Sequence, residues 1–251
     1  MNEGTALNVL VTGGSGASGV AVAAALLQAG FRVFTVGSDR TRIEEAAAKA
    51  GDGVTPLVCD LASLAEVQEL QDYLASAGVS IDAVIHLVGG WRGAKGIADQ
   101  SDADWEFLER AAITTLRNVS RVFHDDLAAS SCGRFAMVSS TSVGKPTAAA
   151  ASYVAAKAAA ETWTMAMAEG FARTTSAGSA TESETESAGG PLRCAAVVLV
   201  VKALVDADMR KQHPERNFPG ATDVGDLARA VVELFKKPAD ELNGQRLLLA
   251  P

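Results

Sequence analysis

Short apolar runs alternate along the chain with longer segments whose apolar residues recur every three or four positions. The runs Ala6–Val11, Arg32–Val36, Thr55–Cys59, Ala83–Leu87, Arg134–Val138, Arg193–Val200 and Arg246–Leu249 read as strands. Between them, Ala17–Ala29, Arg40–Ala50, Leu64–Ala77, Asp102–Leu127, Ala148–Arg173 and Val224–Lys236 read as helices. Strands alternating with helices imply βαβ crossovers, hence a parallel sheet covered on both faces. The stretch AAVVLVV is continuously apolar, as a strand buried on both faces requires. The pattern predicts one doubly wound α/β domain over residues 1–251, with a parallel sheet of about seven strands.

One segment breaks the alternation. TTSAGSATESETESAGGP, Thr174 to Pro191, carries no large apolar residue and reads as a flexible loop. It joins a helix end to the next strand, which places it at the N-terminal edge of the sheet, away from the ligand crevice. A domain linker is the competing reading, but the roughly 60 residues beyond it could not bury a core of their own.

Composition narrows the function classes. Net charge is −8 with no basic stripe, which argues against a nucleic-acid or anionic-membrane partner. Cys59, Cys132 and Cys194 are isolated, and His86, His124 and His213 are scattered, so neither a disulfide framework nor a metal site is expected. No run approaches the roughly 18 apolar residues of a membrane span, and no basic-then-apolar leader opens the chain. A cytoplasmic protein is the expectation.

The first strand runs into Thr12-Gly13-Gly14-Ser15-Gly16-Ala17-Ser18-Gly19 and then a helix. Glycines at such a junction let a pyrophosphate approach the backbone, where its charge meets the free amides and positive dipole end of the helix. A tight strand–helix connection is the alternative. No Gly-Lys-Ser/Thr follows, which argues against a mononucleotide P-loop. The candidate dinucleotide contacts are Thr12, Gly13, Ser15, Ala17, Ser18 and Gly19. At the end of the second strand, FTVGSDRTR places Gly37 and Ser38 before Asp39, with Arg40 and Arg42 beyond. Asp39 either reads a ribose hydroxyl or caps the next helix. Room at Gly37 and Ser38 beside two arginines leans the choice toward NADP over NAD.

Tyr153 has Lys157 four residues later, on one helix face, and MVSSTSVGKP ends the preceding strand at the ligand edge of the sheet. At these residues the chain resembles the short-chain dehydrogenase/reductase family over nearly its whole length. The shared features are Thr12-Gly13 and Gly19, Asp60-Leu61, Gly89, Ser140, and Tyr153 with Lys157, in order and at family-like spacing. The resemblance implies a Rossmann fold and a Ser140–Tyr153–Lys157 site. In that site Tyr153 exchanges the proton, Lys157 lowers its pKa beside the nicotinamide ribose, and Ser140 holds the substrate oxygen. Asp60 and Leu61 would contact the adenine, with Val88 and Gly89 also lining the cofactor. Asp60 as a helix cap and Ser140 as a strand-end partner remain alternatives.

Three departures stand out. The family's Asn-Asn-Ala-Gly is His86-Leu87-Val88-Gly89; the helix asparagine of its proton relay falls near Ala112, with Asn118 about six residues too late; and Pro-Gly is absent after the sixth strand. VGGWRGAKG and DMRKQHPERNF also resemble, in part, the quinonoid dihydropteridine reductase branch. The implied function is hydride transfer between a nicotinamide cofactor and a small carbonyl, alcohol or quinonoid substrate. A nucleotide-sensing protein that kept the fold is the rival reading. Alanine-rich helix faces, and the family's habit of pairing through them, imply a homodimer or homotetramer. The stretch Lys202 to Pro219 is expected to close over the substrate.

Overall fold

A computed structural model describes residues 6–177 and 191–249. The first half runs β1 (Asn8–Thr12), α1 (Ala17–Gln28), β2 (Arg32–Gly37), α2 (Arg40–Ala50), β3 (Val54–Val58), α3 (Leu64–Ser76) and β4 (Ala83–His86). Then come α4 (Asp102–Glu109), α5 (Thr115–Val122), α6 (His124–Ala129), β5 (Gly133–Ser140) and α7 (Ala151–Ala177). The remainder is β6 (Cys194–Val201), β7 (Leu204–Val205), α8 (Ala207–Gln212), β8 (Thr222–Asp223), α9 (Val224–Glu233), α10 (Ala239–Leu242) and β9 (Arg246–Leu248).

Seven strands form one sheet in the order β3-β2-β1-β4-β5-β6-β9, and every pairing in it is parallel. The order reverses at β1, so the connections that leave the paired strands β1 and β4 run in opposite directions, the point where doubly wound sheets open a crevice. Strand alternation divides the core between the two faces. Val9 and Val11 point into a layer with α1 and α9, whereas Leu10 points into one with α3, α5 and α7. All eight residues of β6 are buried. The expected single doubly wound domain is therefore what the chain forms. No described helix is long and apolar enough to cross a membrane.

Several boundaries differ from the sequence reading. The segment expected as one helix, Asp102–Leu127, is broken twice. A π-turn at Arg110–Thr114 separates α4 from α5, and Phe123 leaves helical geometry between α5 and α6. Helix α7 continues to Ala177, four residues into the expected loop, because alanine, serine and threonine can extend a helix already nucleated upstream. The rest of that loop, 178–190, lies outside the described residues. The Lys202–Pro219 stretch carries β7 and α8, and β7 pairs with β8.

A buried histidine fastens the crevice. His86 ends β4, with Nδ1 2.8 Å from the Thr12 hydroxyl and Nε2 3.3 Å from the Thr115 hydroxyl. Thr115 spends its own proton on the Ala111 carbonyl at 2.7 Å. The ring hydrogen therefore sits on Nε2, and Nδ1 accepts from Thr12. Burial, with Lys157 nearby adding a like charge, pushes the ring's pKa down from 6.5 to about 3. His86 is thus neutral and ties the end of β1 to the start of α5.

Between pH 6.5 and about 3 the unfolded chain binds a proton that folded His86 refuses, so this group's contribution to stability is whole above pH 6.5 and lost as pH falls through that window. His86→Asn should lower the melting temperature at pH 7, and the gap to wild type should narrow as pH falls. Thermal melts at several pH values check it; a gap independent of pH would contradict it.

Candidate active site

The glycine turn follows from close packing. Gly13 has φ +75°, a left-handed conformation that costs glycine nothing. A methyl group at Gly19 would lie 2.6 Å from the Gly13 carbonyl oxygen, so the first turn of α1 rests directly on the loop. Gly16, the N-cap of α1, offers no side-chain acceptor, and the first helical turn holds no acidic residue. The helix thus presents amide donors and the positive end of its dipole with no internal anion to satisfy them. These residues fit a bound pyrophosphate.

Two cavities meet above the C-terminal ends of the strands. One, of about 460 Å³, is bounded by Gly13, Ser15, Ser38, Asp39, Asp60 and Leu61. The other, of about 380 Å³, is bounded by Ser18, Trp91, Ser139, Tyr153, Lys157 and Lys202. Leu87, Val88 and Gly89 line both, so the two form one trough.

At the second end, Tyr153 and Lys157 rise from α7. Lys157 is buried, and its ammonium donates to the Val138 carbonyl at 2.8 Å. Burial pulls its pKa down from 10.5 to about 8, against an upward pull from Glu161. Tyr153 packs with Leu108, Ala112 and Ala156; burial raises its pKa, while a hydrogen bond with Ser140 opposes the rise. The expected lowering of the tyrosine by Lys157 is not among the forces acting on it here. Ser140 is buried and also accepts from the Ser142 amide at 3.1 Å, beside its hydrogen bond with Tyr153. Ser139 lines the trough but donates to Glu161 at 2.5 Å.

The remaining candidates divide. Thr12 is fully buried and committed to His86, and Ala17 and Ser15 face a separate cavity between α1, α2 and α8, Ser15 lining both. Asp39 lines the trough but also caps α2, accepting from the Arg42 amide at 2.8 Å. Gly37 leaves no spare room: a methyl group there would meet Ser15 Oγ at 2.5 Å. Arg42 lines the trough, whereas Arg40 turns to Glu44 at 3.5 Å. Asp60 does not cap α3, a task taken by Ser63; it pairs with Arg110 at 2.5 Å and accepts from the Ala62 amide. Ala112, at the family's asparagine position, is buried in the π-turn beside Tyr153, and Asn118 is spent on the Leu61 carbonyl at 3.1 Å. Arg110, Phe107 and Glu161 were not singled out by sequence. Of these only Glu161 had a signal, one helical turn beyond Lys157.

The profile of the family described as short chain dehydrogenase matches residues 7–176. An uncharacterized short-chain type dehydrogenase/reductase of Sinorhizobium fredii is 32% identical over 112 residues, 45% of this chain and 42% of that one. The chain thus spans less than half of that relative's length. Among solved structures, an NADPH-bound short chain oxidoreductase of Pseudomonas aeruginosa, described as containing an atypical catalytic center, superposes with TM-score 0.79 at 17% identity. It covers 96% of this chain and 94% of that one. An NAD+-bound xylitol dehydrogenase gives TM-score 0.78 at 18% identity over 97% of each chain. With more than half of its length matched by the family profile, this chain belongs to the short chain dehydrogenase family of oxidoreductases.

Proposed function

We propose that the chain binds NADPH in preference to NADH and reduces a small carbonyl or quinonoid substrate at Ser140, Tyr153 and Lys157. The observation that carries this reading is the continuous trough, with the uncapped end of α1 toward one end and Tyr153 with Lys157 at the other. Solved structures of the same fold that hold NADPH or NAD+ support the cofactor class. The bound cofactor supplies the hydride.

The chain's own groups supply the rest. Gly13, Ser15, Ser18 and Gly19 hold the pyrophosphate, and Asp60, Leu61, Val88 and Gly89 flank the base and ribose. A tyrosine raised by burial stays protonated at neutral pH, which suits donation of a proton to the reduced substrate oxygen. Lys157, titrating near 8, is mainly charged at pH 7 and offsets the phenolate that the transfer leaves behind. Ser140 orients the oxygen beside Tyr153. No asparagine stands at Ala112, so proton resupply runs by another route, such as water. The partner is a small molecule; the acidic net charge and lack of a basic stripe disfavour nucleic acid. We place the protein in the cytoplasm as a homodimer or homotetramer. Ala155, Ala159 and Ala166 give the exposed face of α7 a small-residue surface suited to close helix contact. A nucleotide sensor is the reading that remains if chemistry fails.

Tyr153→Phe keeps the ring's packing and should leave NADPH affinity intact while turnover on a panel of aldehydes, ketones and quinones falls by about 10² or more. Unchanged turnover would remove Tyr153 as the proton donor, and no turnover by the wild type on any of these substrates would move the protein to the sensor class.

Preference for NADPH now rests on Ser38 and Arg42. Arg42→Ala should weaken NADPH binding roughly tenfold or more and leave NADH binding nearly unchanged, by fluorescence titration. Tighter NADH binding by wild type would assign Asp39 to the ribose instead.

Light scattering at micromolar concentration should give at least a dimer. A monomer would remove the helix-pairing proposal.

A further inference from the structure

Behind the Tyr153–Lys157 pair lies a carboxylate that the mechanism above does not use. Glu161 sits one turn beyond Lys157 and two beyond Tyr153 on α7, so the three occupy one helix face. Its side chain is only 10% exposed. Burying a carboxylate costs several kcal/mol unless it is paired and hydrogen-bonded. Three donors meet that demand here. Ser139 Oγ donates at 2.5 Å, Arg246 Nε at 2.8 Å and Arg246 Nη2 at 3.2 Å. The three residues come from β5, α7 and β9, and Ser139 is the chain neighbour of Ser140.

We propose that Glu161 is a positioning residue of this site, the shared counter-charge that fixes Lys157 and clamps the end of β5 against α7. The proposal rests on reading Tyr153 and Lys157 as the catalytic pair. The groups facing Lys157 are few: Tyr153 and Glu161 on α7, neutral His86 from β4, the Val138 carbonyl from β5, and Lys202 across the trough. Glu161 is the one anion among these five residues, and it makes no direct ion pair with Lys157. Arg246 competes for its charge from the side of β9. The two partners therefore pull in opposite senses: Glu161 keeps a proton on Lys157, and Arg246 tempers that effect.

A purely structural role predicts that breaking either side of the clamp damages the site alike. A shared counter-charge predicts opposite shifts. Lysine loses its charge as pH rises through its pKa, so this residue governs an alkaline limb of turnover and of NADPH binding. Glu161→Gln should move that limb down by about one pH unit, leaving the variant near wild type at pH 6 and roughly fivefold weaker at pH 8. Arg246→Gln, at a side chain 44% exposed, should move the limb up.

The experiment measures NADPH oxidation with a quinone, and NADPH binding by fluorescence, from pH 6 to 10 for wild type, both variants and Tyr153→Phe. Shifts of opposite sign are the expected result. Shifts of the same sign, or none, overturn the proposal. If Glu161→Gln does not fold, the sign for Arg246→Gln decides alone, an upward shift supporting and any other result overturning. An inactive Tyr153→Phe beside unshifted variants sinks only this proposal; an active one removes the reading it rests on.

Discussion

A buried ammonium group organises the candidate site. Placing Lys157 in the interior is costly, and the fold meets the cost with a carbonyl rather than with a directly bound acid. That carbonyl belongs to Val138, inside β5, two residues short of the strand's end, so the lysine can be held only if α7 lies at a fixed height along β5. Gly89 completes the arrangement: a methyl group there would approach the ammonium to 3.3 Å. Helix, strand and loop are thus located relative to one another by a single charge. The trough inherits its shape from that placement, since Gly89 also joins its two halves.

The departures from the family pattern form a coherent alternative once their contacts are seen. His86 reaches both Thr12 and Thr115, so one ring connects the strand under the glycine turn to the helix over it. Ala112 adds only apolar packing beside Tyr153. Asn118 holds the backbone at Leu61, at the other end of the trough. The polar contacts that position the site thus run from Thr115 and Asn118 of α5 to groups at the strand ends, where parallel sheets gather ligand-binding groups.

The sheet was legible because its signal is physical and local: runs such as AAVVLVV permit only burial on both faces. The glycine turn and the Tyr153–Lys157 spacing were legible for a related reason, since a single glycine conformation or a single helical period fixes each, whereas Ser140 was singled out only by the family interval to Tyr153. What stayed hidden depends on distant partners. Nothing near Gly37 in sequence says that Ser15 fills the space beside it. Nothing near Asp60 says that Arg110, fifty residues on, meets its carboxylate. The break in Asp102–Leu127 was hidden differently, because a π-turn leaves the apolar spacing almost helical while inserting one residue.

That inserted residue acts as a phase shift. One extra position turns a helix by about 100°, so the faces of α4 and α5 are offset as two cylinders joined out of register. Leu108 and Leu116 can then both be buried although one unbroken helix would not aim both inward as well. The offset also swings Phe107 to where Gly90 must lack a side chain, a methyl group there meeting the ring at 2.6 Å, and where the Arg92 guanidinium stacks 3.8 Å above it. The rim of the trough is thus machined by a winding defect. Loss of one residue from Arg110–Thr114 would heal the helix and misalign the aperture, and chain length in this short segment is therefore constrained more tightly than its composition.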